Sequence, residues 1–130
     1  MMNYKKFYEE LGNLFYAIAA ADKKIIPEER KRVDDVIRFS WKLLNNGTDR
    51  FGTNEAYRIR FEFDTMEEFR SKPGDAWKSF LAYFNKNKKE MDHDLRLRVF
   101  NSASHIAEGM KSMNGEKKAY LTKLKKLMKV

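Results

Sequence analysis

The chain contains no cysteine. Disulfides, thiol nucleophiles and thiolate metal sites are excluded from the outset. Histidine is almost as scarce: His93 and His105 are the only two, which leaves little room for a zinc site. The longest unbroken apolar run, residues 14–21, is eight residues long, far short of the ~20 that cross a bilayer. Enzyme signatures are missing as well. Residues 109–115 have glycine at both ends but lack the Lys-Ser/Thr ending of a phosphate-binding loop. No G-x-S-x-G elbow occurs. Glu90-x-x-His93 is a single copy, where a di-iron bundle needs two. Neighbouring acids such as Asp34 and Asp35 point in different directions on a helix and make no acid–base pair. The expectation is a protein without catalytic activity.

What is present suits a folded domain. Of the 130 residues, 42% are apolar and 14% aromatic, enough to build a core as one domain spanning 1–130. Tyr4, Phe7, Tyr8, Leu11, Leu14, Phe15 and Ile18 recur at helical spacing and predict a helix over residues 3–21. The same stretch mimics a signal peptide, with Lys5 and Lys6 before an apolar run and Ala19-Ala20-Ala21 after it. Glu9 and Glu10 interrupt that pattern, so a mature helix and a cytoplasmic protein are expected.

Pro27 followed by Glu28 and Glu29 opens a second helix, because proline fits the first turn and carboxylates suit the positive end of the dipole. Val33, Val36, Ile37, Ser40, Trp41 and Leu44 form its buried face, and Asn45-Asn46-Gly47 stops it. Residues 48–53 read as a loop. Residues 55–68 are ambiguous: Tyr57, Ile59, Phe61 and Phe63 alternate like a strand, whereas Ala56, Ile59, Phe63 and Met66 fit a helix. A lone strand would have no partner, which favours the helix. Ser71-Lys72-Pro73-Gly74-Asp75 is a break and a helix start, and the fourth helix carries Trp77, Phe80, Leu81 and Phe84. A fifth starts at Asp92 or His93 and carries Leu95, Val99, Phe100, Ala103, Ile106, Ala107 and Met110. Asn114-Gly115 precedes a last helix with Leu121, Leu124, Leu127 and Met128. The fold class expected is all-α: a compact single-domain bundle of about six helices, closed mainly by the first helix against the second and fifth. His105, beside the small-residue stripe, is expected to be a hydrogen-bonded interior or boundary residue rather than a ligand.

A weak internal helix–turn–helix repeat accompanies this pattern. Shifting the chain by 88 residues lays Ile106-Ala107 on Ile18-Ala19, Gly109 on Ala21 and Glu116 on Glu28. Met110 then falls on Asp22, so the second copy lacks the acid.

Net charge is +8, and it is unevenly placed. Residues 1–70 hold 13 basic and 13 acidic side chains, whereas residues 71–130 hold 14 and 6. The last helix concentrates Lys117, Lys118, Lys123, Lys125, Lys126 and Lys129 against Glu116 alone. Such a face suits an anionic partner: an acidic protein, a membrane surface or nucleic acid. A solvated face is the simpler reading. Arginine is absent after Arg98, so specific base recognition is not expected.

The most distinctive segment is residues 14–29, LFYAIAAADKKIIPEE. A small-residue apolar helix meets an acid, Asp22; then come an aliphatic residue, Ile25, and acids opening the next helix, Glu28 and Glu29. This order resembles the TerB-like family, helical proteins linked to tellurite resistance, and residues 103–121 resemble that family's weaker second motif. The pattern usually has glycine after the acid, where this chain has Lys23. The resemblance implies a cytoplasmic stress-response role exercised by binding other proteins. It also implies a divalent cation such as Ca²⁺ held by Asp22, Glu28 and Glu29, since hard cations take several oxygens. A metal-free turn accounts for the same residues: Asp22 bonds its own turn while Glu28 and Glu29 satisfy the helix start. Lys23 and Lys24 favour the metal-free arrangement, because both would repel a cation.

Overall fold

Asn3 begins the first helix by accepting the backbone N–H of Lys6 on its side-chain oxygen, at 3.2 Å. From there α1 runs over Tyr4–Ala19. In this computed structural model, which describes residues 2–42, 44, 54–108 and 115–130, α1 is the axis of the molecule. Every residue from Phe7 to Ala20 except Glu9 is buried, so the helix is covered on all sides rather than along one stripe. Five further helices complete the bundle: α2 (Pro27–Val36), α3 (Arg58–Glu68), α4 (Pro73–Asn87), α5 (His93–Ala107) and α6 (Gly115–Met128), of which α3, α4, α5 and α6 pack on α1. Short 3₁₀ turns lead into α3 at Glu55–Tyr57 and out of α4 at Lys88–Glu90. The architecture is an all-α bundle of six α-helices among the described residues.

Local chemistry explains the helix starts. Pro27 and Pro73 occupy first turns, and Asp92 caps α5 by accepting the Leu95 N–H at 2.8 Å. The ambiguous segment is helical. Ala56, Ile59 and Phe63 are fully buried, while Tyr57 is 40% and Phe61 63% exposed. Alternation would have put Tyr57 and Phe61 on the same face as Ile59 and Phe63, so the 3.6-residue period decides. The second helix departs from expectation at its end. After Val36 it widens into a π-helical turn, Ile37–Trp41, closed by the Lys42 N–H on the Ile37 carbonyl at 2.7 Å. This turn places Trp41 in the core, where its indole N–H donates to the Ser102 hydroxyl at 3.0 Å. The stop at residues 45–47, the loop at 48–53, Met110 and the turn before Gly115 lie outside the described residues.

The closing partners of α1 also differ from expectation. α1 packs chiefly on α3 and α4, then on α5, whereas α2 lies against α5. Gly12 is the reason for the first contact. A Cβ there would sit 2.7 Å from the Ile59 carbonyl oxygen and 2.8 Å from the Glu62 Cβ, so only a glycine lets the α3 backbone come this near. α2 is tied to α3 by charge instead: Arg30 forms a two-point ion pair with Glu67, and Arg60 reaches Asp34 at 2.8 Å.

Candidate functional site

The turn after α1 is tight. The Lys23 N–H donates to the Ala20 carbonyl at 2.8 Å, and Lys23 adopts φ +65°. This is the left-handed conformation that glycine supplies without strain, so the turn keeps a glycine geometry on a lysine. Asp22 Oδ1 accepts the Lys24 N–H at 3.1 Å, the local bond a turn aspartate makes.

Glu29 sits three residues into α2 and is completely buried. Its Oε1 accepts the Ile26 N–H at 3.2 Å, satisfying one orphan donor of the helix start. Its Oε2 accepts a charge-assisted hydrogen bond from Lys117 Nζ. Lys117, in the first turn of α6, is 1% exposed, and its Nζ stands 3.7 Å from Asp22 Oδ2. Asp22 and Glu29 therefore converge on one point between the two helix–turn–helix units, and that point holds the chain's own ammonium. Glu28 does not join them. It turns outward and pairs with Arg32 at 3.4 Å, one helical turn along. Among the described residues, no group of three or more Asp, Glu, His or Cys side chains is placed to hold a metal ion.

Burial raises the Glu29 carboxyl above its ordinary value, outweighing the Lys117 and Ile26 bonds that lower it, and Asp22 adds to the rise. The sign follows from proton binding. Between the ordinary carboxylate value and the raised one, the folded protein holds a proton that the unfolded chain has released. Stability therefore falls as pH rises through that window. Desolvation of the two buried charges offsets much of the attraction within the ion pair.

Of the six lysines expected to face an anionic partner, Lys117 is corrected: it is enclosed by Glu29 and Asp22 and offers nothing to solvent. Lys118, Lys123, Lys125, Lys126 and Lys129 are exposed. The burial of Lys117 had a signal in the sequence. Positions 117, 121, 124 and 128 share one helical face, and Leu121, Leu124 and Met128 are its buried members. His105 lies at the surface beside α2, with Nε2 3.7 Å from Asp35 Oδ2.

The 88-residue shift reappears in the structure. It lays the end of α5, Ala107, on the end of α1, Ala19, and the start of α6, Gly115, on the start of α2, Pro27. It also lays Lys117 on Glu29, so the buried pair joins corresponding positions. A second buried carboxylate is Glu10, which the sequence marked only as an acid interrupting the apolar stretch. It lies on α1 and accepts from the Ser79 hydroxyl at 2.8 Å and the Asn13 amide at 2.6 Å.

No family model, curated protein or solved structure matches this chain. The TerB-like resemblance rests on the sequence pattern alone, specific in the first 30 residues and loose over the rest of the chain.

Proposed function

We propose that the protein is a non-enzymatic, cytoplasmic binding module of the TerB-like, tellurite-resistance-related stress-response kind. It works by binding partners through its surface. The observation that carries this reading is the placement of Lys117. An ammonium fills the point on which Asp22 and Glu29 converge, so the acidic turn serves as an internal joint to the first turn of α6. The charge left for a partner is the exposed lysine face of α6, where Lys118, Lys123, Lys125, Lys126 and Lys129 make no ion pair among the described residues. That face supports the second reading, a basic helical module for an anionic partner. No helix among the described residues is long and apolar enough to cross a membrane.

Thermal melts test the joint. Calcium, manganese or zinc should leave the melting temperature of the wild-type protein unchanged, since a ligand for the folded state would raise it. A metal-dependent rise that disappears in both Asp22→Ala and Glu29→Ala would make the turn a cation site. Retention on an immobilised polyanion tests the lysine face. It should weaken steeply with salt and be lost in Lys118→Glu/Lys125→Glu/Lys129→Glu with folding intact. Deletion of the gene should sensitise its host to tellurite; unchanged growth would remove the stress-response part of the reading.

A further inference from the structure

Where α6 meets α4, the lysine face is bordered by an aromatic edge that the linear sequence does not show. The Trp77 and Tyr120 rings lie 5.4 Å apart at an angle of 52°, and both are half-buried. Lys123 Nζ stands 5.4 Å from the centre of the Tyr120 ring. Leu127, also half-buried, continues the same edge two turns along from Tyr120. Beyond this edge the outer side of α6 carries exposed Lys126, while exposed Lys118 and Lys125 lie on the far flank, and Glu116 is the one acid on the helix.

We infer that this α4–α6 seam is a docking surface for an anionic lipid bilayer, lying flat on the leaflet. The inference rests on the basic-face reading and names its partner. Three observations favour lipid. Trp and Tyr with one side packed and one side open suit the headgroup level, where an apolar body and a polar tip are both accommodated. Lysine alone supplies the charge. Its flexible stem lies along apolar surface while the ammonium reaches a diffuse, mobile array of anions, whereas fixed phosphates are better matched by the arginine fork. The rings are tilted against each other, so they present no parallel platform on which successive bases of a nucleic acid could stack. The exposed lysines each add a Coulombic attraction that weakens with salt.

Co-sedimentation of the full chain with phosphatidylcholine vesicles, with and without phosphatidylserine, tests the inference. Binding is expected only to the anionic vesicles and should be lost at high salt. Lys123→Glu/Lys126→Glu should weaken it by more than about tenfold. Trp77 emission should shift to the blue on binding, and Trp77→Ala should remove that shift and weaken binding, leaving only the silent core Trp41. Circular dichroism and melting temperature monitor folding, and Lys123→Gln/Lys126→Gln replaces the reversal if it perturbs the fold. Equal binding to neutral vesicles, unchanged binding of the lysine variant or unshifted Trp77 emission would overturn the inference. Tighter binding to a single-stranded RNA oligonucleotide would overturn it as well. Retention on the polyanion without any vesicle binding would remove the lipid while leaving the basic-face reading standing.

Discussion

Lys117→Met is expected to cost about 3–5 kcal/mol of folding stability, the range for breaking a buried ion pair on one side. The cost does not come from lost packing, because methionine fills nearly the space of a lysine stem. It comes from stranding ionised Glu29, fully buried, with Asp22 nearby and no ammonium between them. Lowering the pH should therefore shrink the penalty: burial already raises the Glu29 carboxyl, and removing the ammonium raises it further. The double variant Glu29→Met/Lys117→Met should recover most of the loss, since an apolar pair in a dry interior replaces an ion pair at little cost. Urea denaturation of the single and double variants at neutral and mildly acidic pH measures all of this. A single variant within about 1 kcal/mol of wild type at neutral pH would mean that Glu29 finds another cation or water.

Phe15→Ala is expected to lose about 3–5 kcal/mol by cavity formation. Phe15 lies on α1, the helix enclosed on every side, and is completely buried. A cavity beside the central helix has no free edge from which neighbours can collapse, which places the cost toward the upper part of the range. Lys125→Ala, on the exposed face of α6, provides the control and should stay within about 0.5 kcal/mol of wild type. A thermal melt of Phe15→Ala that matches wild type would refute the placement of Phe15 at the centre of the core.

Much of this fold was legible in order of increasing distance. The α1 stripe from Phe7 to Ile18, the starts at Pro27, Pro73 and Asp92, and the α3 face of Ala56, Ile59 and Phe63 are local patterns, and each appears where the spacing puts it. Which helices touch was less legible, because the α1–α3 contact depends on one missing Cβ at Gly12 meeting a carbonyl far along the chain. The candidate site was half legible. Asp22 and Glu29 stand out as acids at a turn, but their counter-ion sits on α6 among lysines that share its chemistry. Only its helical phase with Leu121, Leu124 and Met128 separates Lys117 from its neighbours, and burial of a lysine runs against the usual expectation for that residue. Glu10 hid for a related reason: a carboxylate on α1 reads as surface until Ser79 of α4 is brought to it. The pairing of Trp77 with Tyr120 joins two helices distant in sequence, so neither residue alone announced it.

The correspondence between Glu29 and Lys117 bears on what this chain can and cannot do in company. Two identical hairpins docking together would set the same residue on both sides of the contact. Glutamate would face glutamate, or lysine lysine, at hydrogen-bond range in a buried contact, and such like-charge contacts repel strongly. Carrying both hairpins on one chain lets the two positions differ and the contact become attractive. The same asymmetry discriminates between assemblies. Opposing two copies of the α1–α2 segment would set buried carboxylate against carboxylate, whereas α1–α2 against α5–α6 sets Glu29 against Lys117. Unlike charges at this one contact therefore disfavour like-with-like association of the two segments.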